Sequence, residues 1–274
     1  MKKYSVLMSV YKKVRTEELE ISIKSMLEQT LPPDEFVLVI DGPIGCELKA
    51  TIKHFIEDNP ELFTIVELDD NHGLAYALNR GIEATKNELI ARMDSDDFSL
   101  PQRCEKQVNE FINDNELMLL GTNIGFFKTT PTEELSIKRN YPTDLESIKK
   151  SLRRNDPFSH PTVMYRKTAV MACGGYDSSL RRRQDYDLFS KMVVNRGYKA
   201  ANLPDKLLLF RADDEYSLRN KSKESCDNRV LIQKRILKRG DCGINDFLFV
   251  WIAMTVSKLI PNGLYKIIYA FLKR

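Results

Sequence analysis

An α/β fold, with a mostly parallel, doubly wound central sheet flanked by helices, is predicted by three features of the first hundred residues. Short apolar runs alternate with amphipathic helical stripes. The spacing between runs leaves room for the crossover helix that parallel strands require. Three of the four runs end in turns that carry carboxylates, where such sheets bind ligands.

The elements follow in order. Val6–Val10 is a short apolar run suited to a buried strand, and Leu19, Ile23, Met26 and Leu27 then mark one face of a helix. Gln29-Thr-Leu-Pro-Pro33 stops that helix, because proline cannot continue it and restrains the residue before it. Phe36–Ile40 reads as a second strand ending in Asp41-Gly-Pro43, and Leu48, Ile52, Phe55 and Ile56 as a second helix. Thr64–Leu68 is a third strand, leading into Asp69-Asp-Asn-His-Gly73 and a helix marked by Leu74, Ala77, Leu78 and Ile82. Leu89–Met93 is the fourth strand, and it ends in Asp94-Ser-Asp-Asp97.

Beyond residue 100 the alternation blurs. Helices are expected at Pro101–Asn113, 144–154, Lys167–Cys173 and Gln184–Arg196, with strands at Leu117–Gly121, Thr162–Tyr165, Ala200–Asn202 and Lys206–Phe210. Thr129–Asn140 reads as a polar loop, and Asp156-Pro-Phe-Ser-His-Pro161 as another. From Asn220 onward the chain is helical, broken at Arg239-Gly240 and Pro261-Asn-Gly263. This divides the chain into 1–215, with halves 1–98 and 99–215, and a helical tail, 216–274.

Composition narrows the class. At 274 residues, 42% hydrophobic and 30% charged, the chain fits a soluble globular protein and excludes disorder or collagen. A net charge of +3 is too small to indicate nucleic-acid binding. The surplus is in the tail, where residues 215–274 hold 12 Lys/Arg against 5 Asp/Glu. Five scattered cysteines with no CxxC pair point away from a disulfide framework or zinc cage and toward a reducing cytoplasm. The start is too short and polar for a signal peptide, and no apolar run reaches 18 residues.

An Asp-x-Asp at a strand end points two carboxylates the same way. Read on its residues alone, it is either a solvated acidic turn or a site for one hard divalent cation, Mg²⁺ or Mn²⁺, able to bridge a diphosphate. The surrounding motifs decide between the two. Ser5-Val-Leu-Met-Ser-Val-Tyr11, Ser25-Met-Leu-Glu-Gln-Thr30, Val39-Ile-Asp-Gly42, Asn71-His-Gly-Leu-Ala-Tyr-Ala-Leu-Asn-Arg-Gly-Ile82 and Ala91-Arg-Met-Asp-Ser-Asp-Asp97 stand in order. His160-Pro-Thr-Val, Gly174-Gly-Tyr-Asp177 and Gln184-Asp-Tyr-Asp-Leu188 complete the series. Together, over residues 4–215, they resemble family 2 glycosyltransferases of the GT-A fold, above all the branch that builds bacterial exopolysaccharide, capsule and O-antigen.

The resemblance implies roles for particular residues. Val10, Tyr11 and Asp41 hold the nucleotide base, Asp41 accepting from a pyrimidine N–H. Asp69, Asn71 and Gly73 lie near the uridine, in a loop that Asn79 helps to order. Arg92 either faces the nucleotide or pairs with an Asp. Asp94 and Ser95 meet ribose or sugar hydroxyls, Asp96 is the principal metal ligand with Asp94 beside it, and Asp97 takes either job. Asp185 is the base, although the family more often has Glu where this chain has Gln184. On its residues alone, Asp185 is equally an acid favoured by a helix N-terminus. His160 borders the acceptor or the metal–diphosphate, or else is structural. Arg181, Arg182 and Arg183 either clamp an anion, pyrophosphate or acceptor, or form a solvated basic face. Arg211 faces the diphosphate or merely ends its strand.

The implied reaction is inverting, metal-dependent transfer from a UDP-sugar, glucose or galactose first and GlcNAc or GalNAc next. The implied acceptor is a polyprenyl-diphosphate-linked oligosaccharide. No Gln-x-x-Arg-Trp motif is present, so one transfer per encounter is expected. Basic residues beside Phe247–Ile252 and Leu264–Arg274 suit a helix lying on an anionic bilayer, which predicts a peripheral protein on the inner face of the cytoplasmic membrane. The alternative is that these helices pack on the catalytic domain or form a homodimer. Two other readings are a nucleotide-sugar-binding scaffold and a sugar-phosphate nucleotidyltransferase. The second requires a Gly-rich basic loop where this chain has Val10-Tyr-Lys-Lys-Val14.

Overall fold

The computed structural model describes residues 3–212 and 222–263. The first half is β1 (Tyr4–Val10), α1 (Thr16–Leu27), β2 (Glu35–Asp41), α2 (Cys46–Asp58), β3 (Phe63–Leu68), α3 (Leu74–Ala84) and β4 (Leu89–Asp94). These strands pair in parallel, in the order β3-β2-β1-β4. Side chains alternate faces along each strand, so Val6, Met8 and Val10 enter one core and Leu7 the other. α1 and α2 cover the first face and α3 the second. The register sets Ser9 beside Asp94 and Val10 beside Ile40, which gathers the strand ends at one edge.

Past β4 the sheet becomes mixed. β5 (Phe98–Ser99), α4 (Arg103–Asn113), β6 (Leu117–Phe127), β7 (Glu134–Arg139), α5 (Leu145–Leu152), β8 (Met164–Arg166), α6 (Lys167–Ala172), α7 (Gln184–Ser190) and β9 (Lys199–Arg211) follow. The sheet continues β4-β8-β6-β9-β5, with β7 on β6. Only β6–β9 is parallel in this part.

Four local expectations are corrected. The polar stretch at 129–140 contains β7, an edge strand whose apolar alternation is only two residues long, Leu135 and Ile137, and which is held by pairing with β6 and by the Lys206–Glu134 ion pair. The two strands expected at 200–210 are one, continuous through Pro204, whose carbonyl accepts from Asn123 Nδ2 at 2.7 Å. The strand expected from Thr162 begins at Met164, after a 3₁₀ turn over His160–Thr162. The helix expected over 184–196 is α for seven residues and then π over Lys191–Asn195.

The tail contributes α8 (Lys223–Arg239) and α9 (Ile244–Leu259). α8 is packed into the fold: Ile232 and Ile236 join the second core, and buried Gln233 donates to the Arg153 carbonyl at 2.7 Å. α9 is tied on through Asp246, which accepts from Arg153 Nε at 2.9 Å and Arg154 Nε at 2.6 Å. Its Phe249, Trp251, Ile252, Val256 and Leu259 remain exposed. Among the described residues no helix is long and apolar enough to cross a membrane. The expected start of the tail at Asn220 and the stretch Leu264–Arg274 lie outside the described residues.

Candidate active site

The acidic turn after β4 brings Asp94, Asp96 and Asp97 together, each offering a carboxylate oxygen within 4.8 Å of the others. Burial, then the charges of Asp94 and Glu18, push Asp96 up to about 6. Burial, then Asp96 and Asp94, also push Asp97 well above the usual carboxylate range. Asp97 Oδ1 accepts from the Arg211 amide at 2.8 Å, whereas Oδ2 is buried without a partner. Crowded, partly desolvated carboxylates with an orphaned oxygen are the donor set that a hard divalent cation fits.

Arg211 braces this turn. Its Nε donates to the Asp96 carbonyl at 2.8 Å, its Nη1 to the carbonyls of Lys128 and Thr129, and its guanidinium lies 4.4 Å from the centre of the Phe127 ring. Only Nη2 is left without a partner. Ser95 is buried within the same turn.

Beside the turn opens a cleft of about 510 Å³ that Arg92, Asp94, His160 and Asp185 all line. Arg92 is 1% exposed and pairs through Nη2 with Asp94, while its Nε and Nη1 have no partner. His160 is buried, with Nε2 2.9 Å from the Tyr176 hydroxyl. Burial and the Arg92 charge drive its pKa well below the usual value, so the ring is neutral at physiological pH.

Asp185 is the second residue of α7, which starts at Gln184 directly after Arg183, a residue in the left-handed region at φ 61°. Burial raises the Asp185 carboxyl, opposed by the Tyr186 N–H at 2.9 Å and by the charges of Arg183 and Arg92. Asp156 lines the same cleft, and it is raised by burial and then by Asp185. Sequence reasoning passed over Asp156 as a loop acid. The available signal was its place four residues before His160, in a segment with two prolines.

The base-side residues form a different structure. Asp41 is buried at the end of β2, and its carboxylate accepts from the amides of His72 (2.8 Å) and Gly73 (3.0 Å) and from Asn71 Nδ2 (2.9 Å). The chain around it is close-packed: Gly42 has φ 83°, and a Cβ there would lie 2.6 Å from the Asn71 amide nitrogen. Asp69 is exposed and lines a second cavity of about 450 Å³ with Gly42, Ile44 and Lys49. Val10 is buried and Tyr11 exposed at the end of β1. Asn79, expected to order the 69–73 loop, instead exchanges two bonds with Tyr176: its Nδ2 donates to the Tyr176 carbonyl and its Oδ1 accepts from the Tyr176 amide, both at 2.8 Å.

Comparisons with known proteins agree with this architecture. The amylovoran biosynthesis glycosyltransferase AmsE of Erwinia amylovora is 32% identical over 266 residues, 97% of each chain. The UDP-Gal:alpha-D-GlcNAc-diphosphoundecaprenol beta-1,3-galactosyltransferase of Escherichia coli is 28% identical, over 97% of this chain and 95% of its own. Among solved structures, the mannosyltransferase PcManGT from Pyrobaculum calidifontis, in complex with GDP-Man and Mn²⁺, superposes with a TM-score of 0.64 at 16% identity. That match covers 86% of this chain and 64% of that one. S. aureus TarS 1-349 in complex with UDP gives 0.58 at 18% identity, over 86% and 71%. These structural likenesses establish the GT-A fold. Residues 5–175 match the family described as Glycosyl transferase family 2, and the chain belongs to that family.

Proposed function

We propose that this glycosyltransferase moves a sugar, with inversion, from a UDP-sugar to a polyprenyl-diphosphate-linked oligosaccharide in bacterial surface polysaccharide synthesis. Glucose or galactose is the first expectation for the sugar, and GlcNAc or GalNAc the next. The observation that carries the reading is a desolvated carboxyl, Asp185, in one cleft with Asp94 of the acidic turn. The E. coli relative, a galactosyltransferase named for UDP-Gal and a diphosphoundecaprenol, supports a UDP-sugar donor and a lipid diphosphate acceptor, and the TarS complex supports UDP.

Asp94 and Asp96, with Asp97 behind them, would hold Mn²⁺ or Mg²⁺. When bound, that ion supplies positive charge against the leaving diphosphate. In this mechanism Asp185 takes the proton from the acceptor hydroxyl as its oxygen attacks the anomeric carbon. Attack comes from the face opposite the diphosphate, which leaves as UDP. Burial suits Asp185 to this work, because a raised carboxylate is a stronger base. Arg92 pairs with Asp94 and has two further guanidinium donors, Nε and Nη1, without a partner beside the cleft. Neutral His160 adds no charge there. The Asp41-braced loop 71–73 presents Asn71 and Gly73 toward the nucleoside, beside Val10, Tyr11 and Asp69. The exposed apolar side of α9 lies on an anionic bilayer at the inner face of the cytoplasmic membrane, bringing the cleft to its acceptor.

The test is thermal stabilisation by UDP-sugars, GDP-mannose and dTDP-glucose, each with and without Mn²⁺, on wild type and Asp96→Ala. A shift with one UDP-sugar that needs Mn²⁺ and vanishes in the variant is expected. A metal-independent response, or none, counts against the site.

A further inference from the structure

Arg181, Arg182 and Arg183 line the Asp185 cleft, and they immediately precede Gln184 and the base. One turn therefore presents three guanidinium groups and the proposed base to a single cavity. The turn is held in an unfavourable shape: Arg183 is the one non-glycine residue with positive φ among the described residues. α8 braces it from outside. Arg183 Nε donates to Ser225 Oγ at 3.3 Å, Asn228 Nδ2 reaches the Arg182 carbonyl at 3.5 Å, and Arg182 stands 3.7 Å from Glu224. Backbone strain maintained by neighbouring structure marks a functional position.

What this turn recognises follows from charge and reach. Guanidinium groups match phosphate oxygens in a two-pronged geometry that an ammonium lacks. On the function proposed above, the donor's diphosphate belongs at the acidic turn of Asp94 and Asp96, so cations grouped beside Asp185 are placed for a second anion. A lipid-linked acceptor carries such an anion, and where it bears a single sugar, as in the acceptor for which the E. coli relative is named, one ring separates that diphosphate from the reacting hydroxyl. Arginines two to four residues from the base fit that spacing. Glu224 stands against Arg182, and Asp185 feels the charge of Arg183, so Arg181 is the least compensated of the three cations that line the cleft.

We propose that Arg181, Arg182 and Arg183 bind the diphosphate of the lipid-linked acceptor, in a turn shaped by α8. The proposal rests on the donor and base assignments above, and the experiment separates the two. n-Decyl diphosphate is titrated calorimetrically into wild-type protein, alone and saturated with UDP and Mn²⁺, with n-decyl maltoside as a tail-only control. Saturable binding alongside UDP is expected, at least tenfold weaker in Arg181→Gln/Arg182→Gln, with UDP affinity unchanged. Arg183→Gly removes the third guanidinium while relieving the backbone, so it should weaken decyl diphosphate binding without lowering the melting temperature. Equal affinity in wild type and variants, equal binding of the maltoside, or displacement of UDP by decyl diphosphate would overturn the proposal; displacement would assign the arginines to the donor. If UDP and Mn²⁺ fail to bind wild type, the donor reading falls, and the titration without UDP still decides the arginine site.

Discussion

Asp156 and Asp185 reach one cleft from different elements, and the charge of Asp185 pushes the Asp156 carboxyl further above the usual carboxylate range. Asp156 is not among the causes of the Asp185 shift, and as the more strongly raised of the two it is still protonated where Asp185 ionises. In the proposed mechanism Asp185 works only when ionised, so transfer should fail as pH falls through its raised value. Asp156→Asn should leave that acid limb of the kcat/KM profile in place. A limb that moves to lower pH would show that Asp156 already carries charge where Asp185 titrates. The same shifts act on folding. Both groups hold protons in the native state at pH values where the unfolded chain has lost them, so stability falls as pH rises through that window. Urea unfolding of Asp156→Asn should show a shallower fall.

Replacing the proposed base separates chemistry from binding. Asp185→Asn keeps the side-chain shape and should lower kcat by roughly 10²–10⁴-fold. UDP binding in the presence of Mn²⁺, read by calorimetry, should stay within about twofold of wild type, because Asp185 is assigned to the acceptor hydroxyl rather than to the nucleotide. Turnover near the wild-type level would remove Asp185 from the mechanism.

Asp41 gives a different signature. Its carboxylate accepts three hydrogen bonds from residues 71–73. Asp41→Ala leaves those donors unmatched in a buried place and should cost about 2–4 kcal/mol in urea unfolding. Gly42→Ala forces a side chain into positive φ and against the Asn71 backbone, with a loss of about 2–4 kcal/mol. Both variants should weaken UDP binding together with stability, which distinguishes a loop support from a residue that only contacts ligand.

The two tail helices should respond differently to mutation. Ile232→Ala in α8 empties a core position and should cost about 2–5 kcal/mol. In α9, Trp251→Ser/Ile252→Ser alters only exposed side chains. It should leave the melting temperature within about 2 °C, as surface substitutions away from special features do. Co-sedimentation with phosphatidylglycerol vesicles should fall severalfold. Unchanged sedimentation would leave the exposed side of α9 for a second copy of the chain, and the sedimentation coefficient would then show a dimer.

The first half, residues 1–98, was legible because each of its elements carries a strong local pattern. Parallel strands buried on both faces read as apolar runs, and the crossover helices between them show 3.6-residue stripes. The acidic turn was legible as chemistry for the same reason, being contiguous in sequence. The second half, residues 99–215, depends on distant partners. β7 offers only Leu135 and Ile137 as an apolar signal and depends on its pairing with β6, while β9 crosses Pro204 because Asn123 satisfies the carbonyl there. Asp156 looked like any loop acid, since burial against Asp185 is a tertiary fact. The position of Arg211 at a strand end was legible, but its bracing role was not, because most of its donors hold backbone carbonyls of the acidic turn and of residues 128–129.

The two bonds exchanged by Asn79 and Tyr176 act as a splice between the halves of the molecule. They run from α3, which follows the Asp41-braced loop 71–73, to the turn that leads toward Arg181 and Asp185. Gly175 is tightly seated at the join, where a Cβ would stand 2.6 Å from Asn79 Oδ1. Residues 1–98 and 99–215 are thus held at a fixed offset, and with them the sites proposed for donor and acceptor. This has a practical consequence for chimeras within the family. The first half can be exchanged between relatives only if its side of the splice matches the new second half; otherwise two amide hydrogen bonds are lost and the offset between the halves is no longer set.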